Sequence, residues 1–492
     1  MIEKRNSIAN YAGLVITTSI ILVVSPIYLN LLGAESYGLI GFFAMISTWL
    51  GLVDLGMSPT LSREISISKA KKNFIDFRKL LRSFELIFLI ISIIFICISF
   101  FVSKIIATDW TTLNTLSIST VNTCLIYMSL IVAIRWFASL YRSGVIGLED
   151  QVWLNMLNIS INSLSYFGYL FILIFYSTDI VIFFQFQLLF SLTSLAFISR
   201  RLYSKISTKK EFNFLYFDTK QVLRVLPFAS GIAYTTFLWI IVSEIDKLIF
   251  SYTLTLEDYG IFMILMILTS GISLLSSPIT KALLPRMTYL KSKNEISKFL
   301  MLYLKNTRNV AFITFSVAIT FSIYSEELVM AWTGNIEAAK MANDVLIWYA
   351  IGNCLISING MQYLIQVAHG NLRLHITSTT LSAILQAPLI IYFAINYGLI
   401  EASKCWFAFR LLWFFIYIPI VHNKFHKEIL IRWYLVVFYV FSVVTFFSFI
   451  FHKLNLMELF SVFMPQFFAL LSLGLLLLLL CFATHQFFKK LI

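Results

Sequence analysis

About fourteen apolar runs, most of them near the twenty residues that a helix needs to cross hydrocarbon, fill this chain almost from end to end. They fall at roughly 10–32, 38–59, 84–104, 115–140, 153–176 and 180–199, then 222–250, 258–284, 304–324, 343–367, 376–396 and 401–421, with two more at 433–451 and 459–483. Lipid offers no partner to backbone N–H and C=O groups, so runs of this length predict helices. Only 12% of the residues are charged against 59% hydrophobic, too few polar groups to clothe a soluble protein of 492 residues. The expected fold class is an all-α integral membrane protein with about fourteen transmembrane helices.

The net charge of +13 does not form one patch and implies no nucleic-acid partner. The cations gather in alternate short connections: Arg63 to Arg82, Arg200 to Arg224, Lys281 to Arg308, and Lys424, Lys427 and Arg432, with Lys4 and Arg5 ahead of the first run and Lys489 and Lys490 at the end. The other connections hold little beyond Lys104, Lys247, Lys340, Lys404 and Lys453. Basic residues mark cytoplasmic loops, so both termini are expected in the cytoplasm. The first run is too long for a secretory signal core and reads as a retained helix. The five cysteines (Cys97, Cys124, Cys354, Cys405 and Cys481) stand far apart in or beside apolar runs and read as packing residues.

A segment between the first two runs returns in the second half of the chain. Leu32-Gly33-Ala34-Glu35-Ser36-Tyr37-Gly38 is echoed by Leu254-Thr255-Leu256-Glu257-Asp258-Tyr259-Gly260, with Leu, Glu, Tyr and Gly at the same spacing. A second anchor, Gly147-Leu148-Glu149 against Gly370-Asn371-Leu372, lies at nearly the same offset. The chain therefore divides into a six-helix bundle over 1–210, a repeat of it over 211–425, and two additional helices over 426–492. A six-helix unit repeats in the same orientation, so a pseudo-two-fold axis along the membrane normal is expected. Duplicated halves with the substrate between them are how many secondary transporters are built. No external loop exceeds roughly twenty residues, which argues against a membrane glycan polymerase or ligase with an outer acceptor-binding loop. No G-x-x-x-x-G-K-[ST] is present, so direct drive by ATP is not expected.

Asn10, Pro26, Leu32-Gly33 with Tyr37-Gly38, Asp54-Leu55-Gly56 and Arg63 resemble the opening of the polysaccharide flippase family, part of the multidrug/oligosaccharidyl-lipid/polysaccharide exporter superfamily that includes the O-antigen flippases. Pro227-Phe228-Ala229, Asp246, Tyr259-Gly260, Leu284-Pro285 and Tyr397-Gly398-Leu399-Ile400 carry the resemblance through the second half. The chain departs from the pattern at Glu401-Ala402, where a second Gly-Ala pair is usual. The resemblance implies transport of undecaprenyl-diphosphate-linked oligosaccharide from the cytoplasmic to the periplasmic leaflet by alternating access. It further implies a role in surface polysaccharide such as the O-antigen of lipopolysaccharide, and a glycan polymerase and a chain-length regulator as partners. Runners-up are a peptidoglycan lipid-precursor flippase, which shares the fourteen spans, and a multidrug extruder, which normally has twelve.

Such a substrate needs a wet cavity with a few cations, and charges inside spans are expensive enough to be functional candidates. Arg410, in the middle of the twelfth run, suits a diphosphate because its planar fork binds two oxygens at once; pairing with a buried carboxylate is the structural alternative. Arg135 beside Trp136 is a second cavity candidate, with snorkelling as the alternative. Glu244, Asp246 and Lys247 cluster in the seventh run: Glu244 and Lys247 share a helix face and can pair, or a carboxylate can bind a coupling H⁺ or Na⁺. Asp54 and Arg63 are gate candidates at the inner end of the second run. Gln362 and Gln366, one turn apart, can bond sugar or a neighbouring helix. His422 and His426 have metal-like spacing but are expected in a solvated basic loop, and no metal or other cofactor is expected. A cysteine placed at Ser68 should react with an impermeant thiol reagent only from the cytoplasm; labelling from outside would overturn the topology.

Overall fold

The computed structural model describes residues 2–206, 213, 216–456, 466, 468–469, 472–477 and 479. In chain order the helices are α1 Ile2–Leu32, α2 Ala34–Trp49, α3 Met57–Ala70, α4 Ile75–Ile105, α5 Ile118–Gly147, α6 Gln151–Phe175, α7 Ile180–Lys205, α8 Thr219–Thr253, α9 Leu256–Ser292, α10 Ile296–Ile323, α11 Ser325–Thr333, α12 Ile336–Ala368, α13 Arg373–Phe425 and α14 Leu430–Lys453. Among the described residues eleven helices are long and apolar enough to cross a membrane, or twelve when α10 and α11, bent by 85°, count as one broken span. As one straight helix the 53-residue α13 would be about 80 Å long, far beyond a bilayer. Gly398 interrupts it at φ 81°, ψ −169°, a conformation essentially reserved for glycine, so α13 holds both spans expected over 376–396 and 401–421. The span expected over 459–483 and Cys481 lie largely outside the described residues. Cys97, Cys124, Cys354 and Cys405 are unbridged.

Side-chain caps start several helices. Ser117 accepts from the Thr120 N–H, Asp179 from Val181, Asp218 from Gln221 and Asn335 from Ala338, at 2.8–3.1 Å. The second run does not continue to 59 as its composition suggests. It tightens into a 3₁₀ turn over Leu50–Asp54 and breaks at Leu55 and Gly56, both left-handed at φ 48° and 71°. Asp54 then accepts from the Ser58 N–H and hydroxyl, so a carboxylate at the end of one span tethers the first turn of α3.

The chain packs as two compact units, Met1–Gly260 and Ile261–Ile492. The packing boundary falls beyond the repeat boundary expected near 210 because α8 and the start of α9 are held in the first unit. Arg224 pairs with Glu64 of α3 at 2.7 Å, Trp110 Nε1 donates to Ser251 Oγ at 3.1 Å, and the Leu256 N–H donates to the Thr112 carbonyl at 3.0 Å. One end of this unit gathers most of its ion pairs. Lys69 reaches Glu149, Arg201 reaches Asp150, and Arg82 with Tyr203 satisfies the fully buried Glu85. The basic connections after the second and sixth spans thus lie at the same end as the α5–α6 turn, which is the parity that alternating spans require.

In the second unit, α10, α12, α13 and α14 enclose a core of Phe299, Phe312, Phe315, Ile358, Phe414 and Trp433. His422 and His426 belong to this core, which corrects the expectation of a solvated loop. His422 is fully buried with Nε2 3.2 Å from Tyr303 Oη, and His426 is 7% exposed. The last turn of α13 is tucked against Phe299 and Trp433, so apolar contact outweighs the basic character of the surrounding sequence.

Both repeat anchors have structural counterparts, one of them in a shifted register. A Cβ on Gly38 would sit 2.1 Å from the Leu256 carbonyl oxygen, and one on Gly260 would sit 2.2 Å from that of Ala34. Equivalent residues of the two copies therefore meet reciprocally, as across a two-fold axis. The second anchor matches differently from the sequence pairing. α5 and α12 each end with a left-handed residue, Glu149 at φ 64° and Gly370 at φ 66°, whose successor's N–H bonds back to Val145 and Gln366 respectively. Glu149, rather than Gly147, is the counterpart of Gly370. Gly38→Ala should destabilise the protein by about 1–3 kcal/mol, because the opposing atom is backbone and cannot turn aside. The check is its thermal unfolding midpoint in detergent; an unchanged midpoint would show that the two segments do not meet this closely.

Candidate functional site

A cavity of about 440 Å³ lies in the first unit between the 3₁₀ turn with α3, α5 and α8. Asp54, Ser58, Arg135, Ser139, Ser143 and Thr236 supply its polar groups, and Ile232 and Ala233 much of its apolar wall. A chain of hydroxyls crosses it: Asp54 holds Ser58, whose Oγ is 3.1 Å from Ser139 Oγ, which donates to the Trp136 carbonyl at 2.6 Å.

Arg135 is the cation of this cavity. It lies in the body of α5, yet its side chain is exposed to the cavity rather than enclosed. Nε donates to Ser191 Oγ at 3.0 Å and Nη2 to Gln187 Oε1, both on α7, while Cζ lies 5.1 Å from the centre of the Phe43 ring. All these partners are neutral. Among the described residues no carboxylate forms an ion pair with it, so its charge remains available to an anion in the cavity.

Two further sets of contacts lie on the elements that line the cavity. At one end Glu64 bridges two arginines, Arg63 at 2.8 Å and Arg224 at 2.7 Å, and Arg63 also lies over Phe228 at 4.9 Å. Glu64 lies six residues beyond Ser58 along α3, so this clamp sits about 9 Å from Ser58 along the helix axis. At the other end stand the Gly38–Leu256 and Gly260–Ala34 approaches. Glu35 beside them is buried and accepts three backbone N–H groups, from Asn114, Thr115 and Leu116, at 2.7–3.0 Å.

The remaining candidates fall elsewhere. Asp54 and Arg63 do not meet: Asp54 faces the cavity and Arg63 the clamp. Lys247 pairs with Glu244 at 2.8 Å, and Asp246 is buried beside them at the end of α8 towards Tyr259. Gln362 and Gln366 are fully buried in the core of the second unit, where Gln366 donates to Tyr417 Oη at 2.6 Å, a helix-to-helix contact. Arg410 is half-buried with Cζ 5.1 Å from the Trp406 ring, which in turn stacks on Tyr349. Glu64 is not legible in the sequence, because its position one residue after Arg63 on a basic segment gives no hint of a second arginine arriving from Arg224. Among the described residues no group of three or more His, Cys, Asp or Glu side chains could hold a metal ion. Burial holds the His426 imidazole below its ordinary pKa, opposed by its bond to Glu428.

If the clamp guards the cavity, Glu64→Gln should speed reaction of a cysteine at Ser139 with a water-soluble maleimide, measured in detergent on a protein otherwise free of cysteine. Equal rates with and without Glu64 would remove it as a gate.

The fold is shared with solved transporters. A lipid II flippase MurJ in an inward-closed conformation matches with a TM-score of 0.69 at 15% identity, covering 99% of both chains. An inward-facing multidrug resistance MATE family transporter of the MOP superfamily matches with a TM-score of 0.64 at 12% identity, over 87% of this chain and 99% of that one. The bent form of the Vibrio cholerae MATE transporter VcmN matches at 0.57 and 14%, over 87% and 98%. No curated protein sequence matches significantly. The profile of the family described as "Polysaccharide biosynthesis protein" matches residues 4–291, more than half of the chain. This chain, a multi-pass membrane protein with the MOP-superfamily transporter fold, belongs to the polysaccharide biosynthesis protein family.

Proposed function

We propose that this protein flips an undecaprenyl-diphosphate-linked oligosaccharide from the cytoplasmic to the periplasmic leaflet of a bacterial inner membrane, by alternating access, for a surface polysaccharide of the O-antigen kind. The observation that carries this reading is Arg135: a guanidinium open to an internal cavity and held by Gln187 and Ser191 alone. A diphosphate loses its water when it enters such a space, and a pre-oriented cation with spare hydrogen-bond donors replaces part of that hydration. The serine hydroxyls opposite offer partners to sugar, and the apolar wall of α8 tolerates the first carbons of the lipid. Both termini are then cytoplasmic, the clamp of Glu64 with Arg63 and Arg224 guards the inner entrance, and a glycan polymerase receives the product.

A peptidoglycan-precursor flippase is the second reading, favoured by the match over 99% of both chains to the lipid II flippase. It shares the lipid diphosphate and differs in the sugar. A carrier for cationic drugs fits less well, because the cavity's one carboxylate, Asp54, is engaged by Ser58 while its cation is open.

The test is the sidedness of the lipid-linked oligosaccharide in cells that lack the protein. Accumulation on the cytoplasmic leaflet with loss of surface glycan supports the reading, and Arg135→Gln at normal membrane abundance should reproduce at least a tenfold loss of export, the cost expected for one charged hydrogen-bonding partner of about 1.5–3 kcal/mol. Single units that reach the periplasm unpolymerised would instead make this a polymerase or accessory factor.

A further inference from the structure

The second unit buries a group of polar side chains where four of its helices meet. Tyr303 and Thr307 stand one turn apart on α10, Gln362 and Gln366 one turn apart on α12, His422 in the last turn of α13 and Trp433 in the first turn of α14. All six are fully buried, in a core that also holds Phe299, Val310, Ile358 and Ile418. Tyr303 Oη is the hub. It lies 3.2 Å from His422 Nε2, and Gln362, Thr307 and Trp433 stand close enough to interact with it. A second tie runs from Gln366 Nε2 to Tyr417 Oη at 2.6 Å and to the Gln362 carbonyl at 3.3 Å.

One phenol cannot satisfy these neighbours. A hydroxyl has one proton to give and two lone pairs to offer, so Tyr303 can complete three hydrogen bonds while four side chains crowd it. Six polar atoms of the group have no well-formed hydrogen bond among the described residues: Thr307 Oγ1, both amide atoms of Gln362, Gln366 Oε1, His422 Nδ1 and Trp433 Nε1. His422 needs a second partner in either tautomer. Nδ1 holds the proton when Nε2 accepts from Tyr303, and a bare lone pair when Nε2 donates. Each buried polar atom left unbonded is destabilising, and so many in one place would be exceptional in a native core.

The mixture of groups identifies the ligand. Gln362 Nε2 and Trp433 Nε1 are donors, the two glutamine oxygens are acceptors, and Thr307 and His422 can serve as either. The N–H groups repel a metal cation and the amide oxygens repel an anion, whereas a small neutral molecule that both donates and accepts suits all of them. Polar atoms that gather around one hydroxyl without bonding to it directly are the setting in which water bridges. A buried water makes about three hydrogen bonds, so these atoms call for about two molecules. We propose that the junction of α10, α12, α13 and α14 is a buried hydration site, where ordered water joins Thr307, Gln362, Gln366, His422 and Trp433 around Tyr303. α14 is then tied to the other three helices through water at Trp433.

This site is independent of what the protein transports. X-ray hydroxyl-radical footprinting of the detergent-purified full-length protein generates radicals from resident water in place, so a buried ring beside such water is oxidised although bulk solvent does not reach it. Corrected for intrinsic ring reactivity, Tyr303 and Trp433 should be oxidised about tenfold faster than Phe312, which is equally buried in the same core. A radical scavenger in the bulk should suppress oxidation of Tyr289, 44% exposed, and spare that of Tyr303 and Trp433. Rates equal to that of Phe312 would mean that the side chains close directly on Tyr303, and overturn the site. Oxidation of Tyr303 and Trp433 that the scavenger removes would mean entry of solvent by opening, and overturns it as well. Gln362→Met, of similar volume, should slow oxidation of both rings and lower the thermal unfolding midpoint. A midpoint that is unchanged or raised overturns the site, because the amide then had no partner to lose. If that variant does not fold, the wild-type comparison decides alone.

Discussion

The first unit is organised around the place where Gly38 and Gly260 let two helix starts touch. Each glycine faces the backbone carbonyl of the other copy's segment, and the pair is reciprocal. A side chain on either residue would push α2 away from α9. The consequences reach outward: with α9 seated there, Leu256 bonds to Thr112, and Ser251 near the end of α8 bonds to Trp110. α8 is thereby fixed along the wall of the cavity that Arg135 enters. A glycine contact of a few atoms sets the position of a 35-residue helix.

Charge is managed differently at the ends of this unit and in its middle. At the ends three buried carboxylates have dense sets of donors: three backbone N–H groups for Glu35, Arg82 and Tyr203 for Glu85, and two arginines for Glu64. In the middle the cation Arg135 has, among the described residues, neutral partners only. Ends built from satisfied pairs hold shape, whereas a cation held by an amide and a hydroxyl is oriented without being neutralised. This contrast supports the proposed anionic substrate.

The helices were legible because lipid enforces a long apolar run, and the repeat because its turn chemistry uses a glycine at a fixed distance from a tyrosine. Arg135 was visible as a charge within a span for the same reason. The rest depended on tertiary contact. Nothing local to Leu55-Gly56 distinguishes a break in a span from a tolerated glycine, and the second anchor slipped register because Glu149 takes a left-handed conformation that its copy assigns to Gly370. His422 and His426 sit in a stretch rich in lysine, and only the arrival of α10 and α14 buries them.

The Glu64 clamp has an energetic character suited to repeated opening. Its arginines are half exposed, at 52% and 53%, around a carboxylate that is 9% exposed. Ion pairs with one partner in solvent are worth about 0–1 kcal/mol, little more than thermal energy, so closing this end creates a shallow basin and not a trap. On the gating role proposed above, separating Arg224 from Glu64 leaves the adjacent Arg63 as the partner of that carboxylate. The two populations can therefore remain within a small factor of each other, and a modest preference of one ligand for one of them is enough to move the balance.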